Sequence, residues 1–215
     1  MNYKLAIFDL DGTLLNTLQD LTNSVNYALK KSGYPERTVE EVRNFVGNGI
    51  LRLIKLAVPS GSTEEDTETV FNDFKLHYKQ NSNIFTKPYD GITEVIKKIR
   101  SNGIKTAVVS NKADFAVQDL CKEYFPNLFD YAVGEKEGVL KKPAPDSVNT
   151  VLKTLGFDKA EAVYIGDSDV DIATAENANL DCITVTWGFR DEKFLKEKGG
   201  TVFAHNPKEL LSFIL

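Results

Sequence analysis

From residue 87 to the C-terminus, short apolar runs alternate with amphipathic stretches, and no other feature constrains the fold as much. Apolar runs of strand length fall at 104–109, 131–133, 162–165, 180–185 and 201–203. Helical periodicity fills 91–101, 113–124, 145–155, 170–178, 191–198 and 207–214, with stops at Gly103 and Gly156. Strands alternating with helices imply crossover connections and therefore a parallel sheet. Residues 3–8 add one more buried strand at the N-terminus. The pattern predicts an α/β protein with a doubly wound, Rossmann-like parallel sheet.

The stretch from Leu15 to Phe85 differs in kind. It reads as helical throughout, with helices over 18–31, 38–45, 50–58 and 64–80 and no strand. Thr38 and Glu41 have capping-box spacing, and Gly47-Asn48-Gly49 interrupts the second and third helices. The expected organisation is a core domain of residues 1–14 and 87–215, with a small all-helical cap domain, 15–86, inserted into it. An insert at the loop end of a strand is placed where function also sits.

Composition narrows the classes. The chain has 215 residues, 42% hydrophobic and 27% charged, which are ordinary values for a globular protein. A net charge of −5 argues against nucleic acid or an anionic membrane as partner, because either demands a basic face. Cys121 and Cys182 have no metal-ligand spacing and read as core thiols in a reducing compartment. The first strand begins within a few residues of the start, which leaves no room for a signal peptide. No apolar run approaches membrane-spanning length. A cytoplasmic location is expected.

The N-terminal strand ends in Asp9-Leu10-Asp11-Gly12-Thr13. Side chains two apart on an extended chain share a side, so Asp9 and Asp11 should face one volume. Like charges that close need a cation, a proton or a substrate to relieve them. By itself the segment also reads as a strand followed by an Asp-Gly turn.

Three further strand or helix ends carry complementary chemistry. Ser110-Asn111 closes the 104–109 strand and offers a hydroxyl and an amide to phosphate oxygens. Lys142 precedes Pro143 and Pro145, near a helix N-terminus, and both features attract anions. Asp167 ends the 162–165 strand, and Asp171 lies one helical turn on. Asp169 is expected to cap that helix. If the first strand is central, flanked by the 104 and 162 strands, these groups converge at the switch point where doubly wound sheets bind ligands. Oxygen-only ligands suit Mg²⁺.

Taken together, Asp9-Leu10-Asp11-Gly12-Thr13-Leu14, Ser110-Asn111-Lys112, Lys142-Pro143 and Gly166-Asp167-Ser168…Asp171 resemble the haloacid dehalogenase superfamily, over essentially the whole chain. Gly47-Asn48-Gly49 and Val185-Thr186-Trp187-Gly188-Phe189 are similar to its phosphoglycolate phosphatase-like branch. Asn179 stands where that branch usually has glycine, and Asn tolerates the left-handed conformation of a helix end. Ser147 replaces a common proline.

The resemblance implies a Mg²⁺-dependent phosphatase acting on a small phosphorylated metabolite, most simply phosphoglycolate. Asp9 would be the nucleophile and Asp11 the proton carrier. Lys142 would pair with Asp9 and with phosphate, and Asp171 would orient Lys142. Ser110 and Asn111 would bind phosphate oxygens. Asp9, Asp11 through its carbonyl, and Asp167 would hold the metal. Gly47, Asn48 and Arg52, with Lys55 nearby, would read the substrate. A pyrophosphatase or a β-phosphoglucomutase-like enzyme on the same scaffold remains open. So does a non-catalytic, phosphate-responsive binding module, although that needs neither a lid nor Asp11. Oligomeric state, monomer or dimer, is not readable.

Overall fold

The computed structural model describes residues 3–215. These divide into two compact units, one running to Leu15 and again over Pro88–Leu215, the other spanning Asn16–Lys87.

The first unit is built on a six-stranded parallel sheet. Its strands are β1 (Leu5–Phe8), β4 (Lys105–Ala113), β5 (Tyr131–Glu135), β6 (Ala162–Gly166), β7 (Asp181–Val185) and β8 (Phe203–Ala204). Their order is β5-β4-β1-β6-β7-β8, so β1 is central and sits between β4 and β6, as expected. Leu5 pairs with both Lys105 and Ala162, and Phe8 with Val108 and Ile165.

Side-chain alternation along the strands builds two cores. Ala6, Phe8, Val108, Val163 and Ile165 face one side, packed with α5 (Ile92–Ser101), α6 (Asp114–Tyr124) and α10 (Pro207–Ile214). Leu5, Ile7, Val109 and Tyr164 face the other, packed with α7 (Asp146–Leu155) and α8 (Asp169–Ala178). A sheet apolar on both faces is what helices on both sides require. α9 (Glu192–Glu197) follows β7 and is capped by Asp191.

Several boundaries differ from expectation. β4 does not stop at Val109 but continues to Ala113, with a register irregularity between the two that carries Ser110, Asn111 and Lys112. The last strand lies at 203–204 rather than 201–203. A short 3₁₀ turn over Lys159–Glu161 precedes β6 and has no apolar period to announce it. Asn179 takes φ +55° at the end of α8, the left-handed cap anticipated for it.

The second unit holds α1 (Leu18–Lys31), α2 (Val39–Phe45), α3 (Ile50–Ala57) and α4 (Glu64–Asn81) around Leu21, Val25, Leu29, Val42, Ile54 and Phe74. Thr38 and Glu41 form the expected capping box, and Thr63 and Asp66 form another. The segment is not wholly helical. β2 (Leu15–Asn16) and β3 (Lys87–Pro88) pair as a small ribbon where the chain passes between units.

Within this unit, Asp20 on α1 is buried and gathers four donors from the segment after α4. These are the N–H groups of Ile84 (3.1 Å), Phe85 (3.0 Å) and Thr86 (2.8 Å), and the Thr86 hydroxyl (2.8 Å). A carboxylate can be buried this way because each oxygen exchanges water for N–H or O–H partners.

Candidate active site

Asp9 continues β1 by one residue, its N–H donating to Ile165 O at 2.9 Å. Its carboxylate is buried. Oδ1 lies 2.9 Å from Lys142 Nζ. The two form a buried ion pair, opposite charges held together away from water. Burial pushes the Asp9 carboxyl up to about 7, with the Asp171 charge adding to the rise and Lys142 opposing it.

Lys142 is held at both ends. Its N–H donates to Asn111 Oδ1 at 2.9 Å, and Asn111 Nδ2 donates back to Lys142 O at 3.1 Å. The Lys142–Pro143 peptide is cis. The ammonium is buried and donates to Asp171 Oδ1 (2.8 Å) and to Tyr164 OH (3.1 Å). Burial alone would lower its pKa. The Asp171 and Asp9 carboxylates overcome that and hold it well above its ordinary value, so Lys142 stays charged.

Asp167 follows β6 and is buried. Thr13 Oγ1 donates to its Oδ1 at 3.0 Å, and Phe189 N–H to its Oδ2 at 2.7 Å. Burial and the charges of Asp171 and Asp9 push its carboxyl up to about 8, against those two hydrogen bonds. Gly12 and Gly188 crowd this carboxylate, since a Cβ on either would lie 2.3 Å from an Asp167 side-chain atom.

Asp171 serves two ends. Its Oδ1 takes Lys142, while its Oδ2 accepts from Ser168 Oγ (2.6 Å), Ser168 N–H (3.1 Å) and Asp167 N–H (3.2 Å). Ser168, not Asp169, is therefore the N-cap of α8, with Asp171 completing the capping box. Asp169 instead lies 3.8 Å from Arg190 Nε. The expectation failed because Ser168 and Asp171 stand three apart, the capping-box spacing, and together satisfy two donors where Asp169 alone would satisfy one.

Oxygens of Asp9, Asp167 and Asp171 lie within 4.8 Å of one another. Asp171 is already committed to Lys142 and Ser168, so the pair that fits a cation is Asp9 and Asp167. Both are buried, and each is pushed toward its protonated form first by that burial and then by the neighbouring carboxylates, a cost that a cation between them would offset. Such a donor set suits Mg²⁺.

Asp11 is not among the three carboxylates of that cluster, although its charge acts on Asp9. Its carboxylate pairs with Lys112 Nζ at 3.2 Å, and Lys112 is buried. Lys112 stood in the quoted motif but carried no expected role, because nothing local shows that a lysine 101 residues away will reach Asp11. The buried Ser110 hydroxyl accepts from Lys112 N–H at 3.2 Å. The Asn111 side-chain amide braces the Lys142 backbone.

Gly47, Asn48 and Arg52 belong to the other unit. Gly47 and Gly49 take φ +127° and +83°, Gly49 starts α3, and Asn48, Arg52 and Lys55 are exposed.

The chain is similar to known proteins over most of its length. The family model described as haloacid dehalogenase-like hydrolase matches residues 6–185. Phosphoglycolate phosphatase 1 of Pseudomonas aeruginosa is 31% identical over 97% of this chain and 78% of its own length. Phosphoglycolate phosphatase of Aquifex aeolicus is 32% identical over 86% of each. A crystallised protein from Lactobacillus delbrueckii, provisionally named a phosphoglycolate phosphatase, superposes with a TM-score of 0.96 at 40% identity, covering 100% of this chain and 99% of that one. The chain belongs to the haloacid dehalogenase-like hydrolases, among the phosphatases of the phosphoglycolate phosphatase-like branch.

Proposed function

We propose that the protein hydrolyses a small phosphate monoester with a terminal carboxylate, phosphoglycolate being the simplest, through a phosphoaspartyl intermediate on Asp9. The observation that carries this reading is a buried carboxylate, Asp9, 2.9 Å from a buried lysine and beside a second buried carboxylate, Asp167. The names of the relatives supply the substrate.

In the first half-reaction an Asp9 oxygen forms a bond to phosphorus while the bond to the ester oxygen breaks. Asp11 delivers a proton to the departing oxygen. In the second, Asp11 takes a proton from water as that water bonds to phosphorus, and the bond from Asp9 to phosphorus breaks, releasing phosphate. Lys142 offsets charge on Asp9 and on the phosphoryl oxygens. Ser110 donates to those oxygens. Mg²⁺ held by Asp9, Asp167 and the Asp11 carbonyl would supply electrostatic neutralisation of the phosphoryl group. Gly47, Asn48 and Arg52, by their place in the sequence, read the substrate.

The test is turnover of p-nitrophenyl phosphate and of a panel of esters at matched Mg²⁺, with and without EDTA. The reading requires EDTA-sensitive turnover of monoesters and a preference for phosphoglycolate over uncharged alkyl phosphates. Absence of any monoester turnover would remove it.

A further inference from the structure

Tyr164 belongs to β6 and is fully buried, in a core that otherwise takes aliphatic side chains at that depth. Phenylalanine would fill the same space without a hydroxyl to desolvate. Burying a hydroxyl costs free energy unless it is bonded. Here it is bonded on both sides. It accepts from Lys142 Nζ at 3.1 Å and has two acceptors for its own proton, Val109 O at 3.3 Å and Asp171 Oδ1 at 3.2 Å. Burial holds the phenol well above its ordinary pKa, so it remains a neutral donor and acceptor.

The consequence lies in the three protons of an ammonium. A lysine with one acceptor can follow that acceptor as its long stem swings. Two acceptors on different residues, Asp171 Oδ1 and Tyr164 OH, fix both the place of Nζ and its rotation. The remaining N–H is then assigned to the side where Asp9 lies, 2.9 Å away.

We propose that Tyr164 is a positioning residue for Lys142, aligning the ammonium with Asp9 and with the phosphoryl group that Asp9 attacks. The proposal rests on the phosphoaspartyl reading given above. Misplacement of a catalytic charge by a fraction of an ångström lowers the rate of the chemical step and leaves ground-state binding largely intact.

The test is rapid acid quench of the Mg²⁺-loaded enzyme turning over p-nitrophenyl phosphate, comparing wild type with Tyr164→Phe. Both the rate constant and the amplitude of phosphoenzyme formation are read, together with KM. The expected result is a rate constant lower by about tenfold, the equivalent of ~1.4 kcal/mol. Lys142 faces the phosphoryl group in both half-reactions, so formation and breakdown of the phosphoenzyme should slow together, which keeps the amplitude close to wild type and changes KM by less than about twofold. An unchanged rate constant overturns the proposal. A reduced amplitude with an unchanged rate constant also overturns it, since that is the signature of a partly misfolded sample rather than a misplaced lysine. Wild-type enzyme that turns over ester but forms no phosphoenzyme would fail the phosphoaspartyl reading itself, and the proposal with it.

Discussion

Lys112 Nζ lies 3.2 Å from Asp11 Oδ1 and 3.4 Å from Oδ2, so each carboxylate of the loop after β1 has its own buried lysine, Lys142 for Asp9 and Lys112 for Asp11. If Asp11 carries the proton to the leaving oxygen, the pair with Lys112 holds it in place. Lys112→Met should then lower kcat on an alkyl phosphate by about tenfold more than on p-nitrophenyl phosphate, whose leaving group departs without a proton. Equal losses on both esters would show that Lys112 does not act through Asp11.

Gly188 and Gly12 stand where any side chain would strike Asp167. At Gly12 a φ of +84° adds backbone strain, so Gly12→Ala should destabilise the protein by about 1–3 kcal/mol. Gly188→Ala isolates the clash, its Cβ meeting Asp167 Cβ at 2.3 Å. The Mg²⁺ concentration for half-maximal activity should rise about tenfold or more, with a smaller change in kcat at saturating Mg²⁺. An unchanged activation curve would contradict the place given to Asp167.

The two raised carboxyls predict a pH dependence with a definite sign. In the unfolded chain both protonate near 3.8, and in the metal-free fold Asp9 and Asp167 protonate near 7 and 8. The metal-free fold therefore holds protons that the unfolded chain has lost. Their contribution to stability is fully present below about 4 and falls as pH rises through about 7–8. Adding Mg²⁺ should raise Tm by several degrees at pH 8 and by much less at pH 5. Differential scanning calorimetry at the two pH values checks it, and an equal shift at both would contradict it.

Asp20 predicts a purely structural effect in the helical unit. Asp20→Asn can keep an oxygen where Oδ2 accepts from Ile84, Phe85 and Thr86, but it loses the charge and sets an amide donor where Oδ1 faces the Phe85 N–H. The expected loss is about 2–3 kcal/mol. Urea unfolding followed by circular dichroism measures it.

Much of this was legible in the sequence. The alternation of apolar runs pointed to a parallel sheet, and the polar residues after the first strand, after the 162–165 strand and before the 145–155 helix singled out Asp9, Asp167, Asp171 and Lys142, whereas the place of β1 between β4 and β6 is a matter of strand order that alternation alone does not fix. What stayed hidden depends on contacts between distant segments. Tyr164 reads as one more strand residue until Lys142 is seen against its hydroxyl. Lys112 reads as part of a turn because the irregularity that carries β4 through Ser110–Lys112 has no local signal. Asn111 offers its amide equally well to phosphate or to backbone, and only the fold reveals that the Lys142 segment lies opposite it.

The covalent step on Asp9 is the centre of the account, and locating the phosphate tests it most directly. Enzyme quenched in acid during turnover of a labelled phosphate monoester, digested and analysed by mass spectrometry, should carry phosphate on Asp9 and on no other residue. Phosphate on another side chain, or turnover with no phosphoenzyme at any quench time, would contradict it.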